Sequence, residues 1–263
     1  MNLPSASSIS WRFTRVWRRN AIVYRRIWLV NFLVPLLEPL LYLAAFGIGL
    51  SAFIPKVPYE GIDLSYTAFI APALLAITMM YNAFFENTYA SFVRMYYQKT
   101  FDGMLATPLS LEEIITGEIV WGATKSVIAT AIMLAVVSLF GLVQYPQGLI
   151  ILPLSFLGGL AFGVVGMVFT GIIPTIDMFN LPIFLFITPM FLFSGTFFPM
   201  NGLPAWAQQL SLALPLTHLV RIARELCLGR ITPELFWGVG YLVVFTVILF
   251  PLALFVMKRR LVL

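Results

Sequence analysis

The chain has 263 residues, 60% hydrophobic and only 10% charged, with a formal charge of +5 and a mean hydropathy of +0.95. That balance excludes a soluble globular domain and points to an integral membrane protein. One cysteine, Cys227, excludes an intrachain disulfide and a multi-cysteine metal site and reads as a packing residue.

Between Trp11 and Tyr24, apolar Phe13, Val16, Trp17, Ala21 and Tyr24 recur near helical spacing, while Arg12, Arg15, Arg18 and Arg19 fill the remaining face. The pattern predicts an interfacial helix within residues 1–26, lying in a headgroup layer where each basic residue contributes about 1 kcal/mol against an anionic surface. A basic flank that only sets topology would share this composition. No signal peptide is expected, because the first apolar run is too long for an h-region.

A bilayer core of about 30 Å needs about 20 apolar residues per helix. Six runs qualify, at residues 27–53, 64–85, 119–142, 149–173, 178–198 and 235–257. They are too long and too unalternating for barrel strands. The predicted fold is therefore an all-α integral membrane protein with six transmembrane helices in a single transmembrane domain over residues 1–263. The first run carries Glu38 between Pro35 and Pro39. At mid-helix an ionisable group costs about 2.5–3.5 kcal/mol on insertion scales, so Glu38 should face protein or a water-filled path. It is either a structural carboxylate in a kinked helix or part of a substrate path. A short external loop, residues 54–63, follows.

The second run leads into a polar stretch from Arg94 to Trp121, set within an organised corner at residues 88–118. Residues 88–99 continue the incoming helix, Asp102-Gly103 supplies a break, and Thr107-Pro108 ends a short helix. Ser110 is an N-cap with Glu113 completing a capping box, and Glu112 and Glu113 place negative charge at the positive end of the next helix. Leu111, Ile114, Ile115 and Ile119 fall on one face. The expectation is two short helices joined by a tight corner, with the third span starting after Glu118; an ordinary solvated loop would share the same pattern. Lys125, about two turns into that span, can snorkel or pair with a carboxylate.

Glycines crowd the fourth run, including Gly159 and Gly163, and favour close intrachain helix packing. In the turn after it, Asp177 caps the fifth helix or offers a contact to a partner. The fifth run contains Pro182 and Pro189 and ends in Phe191, Phe193, Phe197 and Phe198, which either line a path or pack and face lipid. Residues 199–234 are too apolar for a free loop and too interrupted to span. Two helical stripes, Leu203 to Leu214 and Leu216 to Cys227, predict an external re-entrant or interfacial hairpin. Arg221 and Glu225 are spaced to pair on one helix face, and the lone His218 reads as structural.

Basic residues concentrate in the first 26 positions, in the corner at Arg94 and Lys99, and at Lys258, Arg259 and Arg260. With six spans these fall on one side, which the positive-inside rule makes cytoplasmic, with both termini. The charge thus concerns orientation, and nothing in it argues for nucleic acid.

No phosphate-binding loop, metal-ligand cluster, nucleophile elbow or dinucleotide fingerprint occurs, so the chain by itself is not read as an enzyme or as hydrolysing ATP. Four stretches carry a family likeness: WRRN (17–20), QKTFDGMLATPLSLEEIITGEIVWGATKS (98–126), ITPMFLFSGTFFP (187–199) and LPLTHLVRIAR (214–224). Through them the chain resembles the membrane subunit of ABC-2 type exporters, and more closely the permease of the nodulation (NodJ-type) lipo-oligosaccharide exporter group. The resemblance implies a bacterial inner-membrane homodimer working with two copies of a separate cytoplasmic ATPase, which binds the ATP and Mg, while this chain holds no cofactor. It implies that Gln98, Lys99, Thr100, Phe101, Asp102, Gly103, Met104, Leu105, Ala106 and Thr107 form a coupling helix docked in the ATPase. Ser110, Leu111, Glu112, Glu113 and Glu118 would belong to a gate helix, the N-terminal helix and Asp177 would be secondary contacts, and residues 203–227 would lie near the exit. An amphiphilic, lipid-linked cargo would enter from membrane lipid, its headgroup meeting Arg25 and Arg26 and its path passing Glu38 and the Phe191 to Phe198 aromatics. A drug-efflux permease of the same superfamily is a second reading. A polytopic enzyme acting on lipid-linked sugars is a third, for which the close acidic pair, Glu112 and Glu113, is already explained by capping.

Overall fold

The computed structural model describes residues 9–29, 33, 37, 40–50, 53–54 and 56–262. In chain order these form helix α1 (Phe13–Arg26), a π-helical segment Leu43–Leu50, strands β1 (Val57–Tyr59) and β2 (Ile62–Leu64), then α2 (Tyr66–Tyr97) and α3 (Thr100–Leu105). Helices α4 (Leu111–Leu139), α5 (Gln147–Ile172), α6 (Ile176–Phe193), α7 (Ala205–Leu212), α8 (Pro215–Cys227) and α9 (Pro233–Leu261) complete them. Among the described residues five helices, α2, α4, α5, α6 and α9, are long and apolar enough to cross a bilayer. Much of the first apolar run, Glu38 included, lies outside the described residues.

The helical body carries one element absent from the sequence expectation. Residues 54–63, read as a loop, contribute to an antiparallel hairpin pairing Val57 with Leu64 and Tyr59 with Ile62. Glu60 and Gly61 both adopt positive φ, the geometry that two-residue hairpin turns of matching twist require.

Helices α2, α4 and α5 form the centre. Phe69, Leu75, Met79, Met80 and Phe84 of α2 are fully buried against them. The glycines of α5 do what their crowding predicts: a Cβ on Gly159 would stand 2.7 Å from the Ala123 backbone, and one on Gly166 2.9 Å from the Phe84 carbonyl. Backbones approach that closely only where side chains are absent. Helix α9 packs along α5, and its Arg260 donates to the carbonyls of Thr170 and Ile173, which the end of α5 leaves without helical partners. Helix α6 is irregular, with a π-helical stretch Ile183–Ile187 between Pro182 and Pro189, since each proline removes a backbone donor.

At the hairpin end, residues 203–227 do fold as two helices, broken at Ala213-Leu214 before Pro215. Their stripes have different fates. Leu216, Leu219, Val220, Ala223 and Cys227 are buried, whereas Trp206 is 63% exposed and Leu210 45%. The expected Arg221–Glu225 pair does not form: Arg221 reaches Glu60 at 3.3 Å and Glu225 accepts from the Tyr59 hydroxyl at 3.0 Å. The β-hairpin, unseen in the sequence, supplies the better partners. Arg224 is buried, donates to the carbonyls of Phe69 (3.1 Å) and Gly195 (3.0 Å), and lies 3.8 Å from the centre of the Phe69 ring. His218 bonds the Leu212 carbonyl and stacks on Tyr241, a structural role as read.

Candidate functional site

The opposite end of the bundle is organised by charge. Helix α2 continues well beyond its apolar run and carries Glu86, Ser91 and Arg94 through two π-helical stretches, Glu86–Ala90 and Val93–Tyr97. Insertions of this kind re-aim side chains and recur at functional sites. Glu86 accepts from Arg94 Nη1 (2.8 Å), Lys125 Nζ (2.8 Å) and Trp121 Nε1 (3.0 Å). Glu118, fully buried, accepts from Arg94 Nε (2.9 Å), Ser91 Oγ (2.5 Å) and Asn20 Nδ2 (2.8 Å). A buried charge persists only when paired and hydrogen-bonded, and each of these carboxylates has at least three donors. The network joins α1, α2 and α4 into one unit.

Helix α1 docks on α4 through buried Val16 and Asn20. Gly117 makes room, since a Cβ there would stand 2.6 Å from Val16 Cβ and 2.8 Å from the Phe13 carbonyl. Trp17 Nε1 donates to Thr124 Oγ1 at 2.9 Å and Arg12 to the Pro108 carbonyl at 2.8 Å. The capping box is present: Glu113 N donates to Ser110 Oγ at 3.2 Å, and Ser110 N to Glu113 Oε2 at 2.9 Å. The other Glu113 oxygen takes the Ser10 backbone N–H and hydroxyl, tying the chain ahead of α1 to the same cap.

Two sequence expectations need correction here. The break falls at Lys99, whose φ is +52°, and not at Asp102-Gly103, through which α3 runs unbroken with Gly103 N donating to the Lys99 carbonyl. The preceding π-helical stretch turns Gln98 back onto the Val93 carbonyl and ends α2 there, while an exposed glycine costs a helix only about 1 kcal/mol. The residues Leu111 to Glu118 are not a separate short helix either. They are the first turns of α4, which continues to Leu139, because nothing between Glu118 and Ile119 interrupts its hydrogen-bond ladder.

Of the corner residues, Gln98, Lys99, Asp102, Gly103, Leu105, Ala106 and Thr107 are exposed, and Thr100 and Met104 half-buried. Phe101 points the other way: fully buried among Val16, Phe92, Met95 and Ile115, it pins α3 to the body. Leu111, Glu113 and Glu118 are buried, and Glu112 pairs with Lys258 of α9 at 3.6 Å. Asp177 is exposed in the first turn of α6, whose N-cap position, Thr175, makes no side-chain capping bond. The predicted cap by Asp177 is therefore replaced by anchoring through Phe179, buried against Tyr89 and Phe92.

A cavity of about 830 Å³ lies between α1, α2 and the start of the second turn-pair of α4. Along α2 its lining runs from Tyr81 to Arg94, with Gln98 just beyond the helix end. Tyr81, Phe85, Tyr89, Val23 and Ile27 give it apolar and aromatic walls, and Arg19, Glu86, Arg94 and Lys125 its charge. Arg25 and Arg26 are exposed at the end of α1 and do not line it. Phe191 and Phe197 pack edge to face at 4.9 Å, with Tyr81 and Phe46 beside them, while Phe193 meets Trp206 and Phe198 is 42% exposed. No group of three metal-ligating side chains occurs among the described residues. Glu86, Arg94, Glu118 and Lys125 form a charged network beside an amphiphilic cavity.

Residues 12–228, from α1 to the end of α8, match the ABC-2 type transporter family. The chain belongs to that family. This ABC-2 membrane protein is 39% identical to nodulation protein J of Rhizobium leguminosarum bv. trifolii over 98% of its own length and 96% of the relative's. It is 36% identical to nodulation protein J of Bradyrhizobium diazoefficiens over 97% and 95%. The inner membrane transport permease YadH of Escherichia coli K12 is a more distant relative, 25% identical over 88% and 89%. No solved structure matches. The ABC-2 assignment makes the chain a transporter component and a multi-pass membrane protein. Sequence reading missed Glu86, Arg19, Asn20 and Trp121 in the network. Glu86 alone left a signal, as an unassigned carboxylate eight residues before Arg94 at the edge of an apolar run.

Proposed function

We propose that this chain is the permease subunit of an ATP-driven exporter that moves an amphiphilic cargo, of the lipo-oligosaccharide or glycolipid kind, outward across a bacterial inner membrane. It works as a homodimer with a cytoplasmic ATPase dimer that binds and hydrolyses ATP with Mg, and both its termini lie in the cytoplasm. The observation that carries the reading is the exposed tip of α3, held by buried Phe101 against the end of α2 that carries Arg94 and the helix α4 that carries Glu118. A push on that tip reaches α1, α2 and α4 together, because the buried pairs cannot yield singly without stranding a charge. Asp177 and α1 provide secondary contacts to the ATPase. Arg25 and Arg26 draw an anionic headgroup to the membrane surface, the first turns of α4 form the gate, and the Phe191 to Phe198 aromatics, with Glu38, belong to the path. Residues 203–227 stand at the exit.

The test replaces Asp102 with Lys and Gly103 with Pro, the latter removing the Gly103 N–H bond that holds α3 together. Reconstituted with the partner ATPase in vesicles, both variants are expected to lose assembly or permease-dependent ATP turnover by an order of magnitude. Normal assembly and unchanged turnover would overturn the coupling assignment.

A further inference from the structure

The charges around the inner cavity do not balance. Arg94 lies between Glu86 and Glu118, and Lys125 is paired with Glu86. Arg19 is the remaining cation: it donates to Asn20 Oδ1 at 2.8 Å, and Asn20 in turn donates to Glu118. Among the described residues no carboxylate lies within ion-pair distance of Arg19. The chain Arg19, Asn20, Glu118, Arg94, Glu86, Lys125 thus holds three cations against two carboxylates. Its unpaired end is half-buried at the wall of the cavity. Burial and the charge of Arg94 lower the Arg19 pKa, against the pull of Glu118. A cation so placed is stabilised by an anion that enters beside it.

The shape of the cavity restricts which anion. Along the cavity the charged groups share the walls with Tyr81, Phe85, Tyr89, Val23 and Ile27. A small inorganic ion would leave most of that apolar surface wet, whereas an acyl chain would cover it. We propose that the cavity binds an anionic amphiphile, with its headgroup oxyanion on the Arg19 guanidinium and its tail along the Tyr81 to Tyr89 aromatic wall. The assignment deepens the export reading by naming the receiving residue and the charge of the cargo class, yet binding itself requires no ATPase.

Native mass spectrometry on the full chain, released from micelles holding equal amounts of phosphatidylglycerol and phosphatidylcholine, tests it. The wild type is expected to retain phosphatidylglycerol several-fold over phosphatidylcholine at one site per chain. Arg19→Gln should abolish the preference and Arg19→Lys keep most of it, while Arg18→Gln, the same charge change on the exposed face of α1, keeps it entirely. Equal retention by the Arg19→Gln and Arg18→Gln proteins, both with wild-type thermal unfolding, would overturn the site. Displacement of the retained lipid by excess inorganic phosphate would overturn the amphiphile in favour of a free oxyanion. A chain that couples normally to its ATPase without Arg19-dependent lipid retention refutes only this site. A chain that keeps the lipid and never couples refutes only the export reading.

Discussion

The two ends of the bundle solve the same problem, a cation buried in an apolar body, by opposite means. At the corner end Arg94 is held by two carboxylates from different helices, so its partners can re-pair when helices move. At the hairpin end Arg224 is held by two backbone carbonyls and the Phe69 face, with the centre of the Tyr59 ring 5.1 Å away. Even the neighbouring carboxylates differ. Glu86 and Glu118 are saturated with donors, while Glu225 uses one oxygen for Tyr59 and leaves the other without a partner among the described residues. Interface salt bridges are among the contacts that repack in rigid-body transitions, whereas a fully satisfied buried polar contact rigidifies its surroundings. On the proposed export function, the corner end is the part that transmits motion and the hairpin end the part that stays fixed.

The largest expected effect is at Glu118. Replacing it with Ala leaves Arg94 half-paired and strips Asn20 and Ser91 of their acceptor, which should cost about 3–5 kcal/mol, since breaking one side of a buried pair strands the other. The unfolding midpoint in detergent should fall accordingly. Arg224→Met comes next. It removes two donors but also a buried charge, so the cost is that of two stranded carbonyls at about 1–3 kcal/mol each, less the desolvation relieved. If Arg224→Met proves the more damaging of the two, the ranking of the ends is reversed.

How much of this could be read from sequence follows the range of the interactions. The capping box at Ser110 and Glu113 lies within four residues, and the structure reproduces it bond for bond. The buried stripe of α8 is equally local. What escaped joins residues far apart in the chain, such as Asn20 with Glu118 or Tyr59 with Glu225, where spacing carries no signal. Local rules also misled where a distant partner competed better. Arg221 and Glu225 have the spacing of a helical pair, but the β-hairpin presents Glu60 to one and Tyr59 to the other. The stop at Lys99 was missed for a related reason. Gly103 is the stronger breaker by type, yet the π-helical stretch before Gln98 had already turned the chain.

The smallest effect is also the sharpest test of the hairpin end. Burial raises the Glu225 pKa above the ordinary carboxylate range, with Glu60 adding to it, against the Tyr59 hydrogen bond and the charges of Arg230 and Arg221. The folded chain therefore holds that proton more tightly than the unfolded chain does. The resulting stability is fully present below the unfolded carboxylate pKa, about 4.3, and is lost as pH rises through the higher folded value. Glu225→Gln keeps an acceptor for Tyr59 and cannot ionise, so it fixes the neutral form. The unfolding midpoint of the wild type should thus drop relative to Glu225→Gln as pH rises from about 4. A difference between the two proteins that stays constant with pH would mean that water or a cation compensates the carboxylate, and the hairpin end would then share the paired-charge design of the corner.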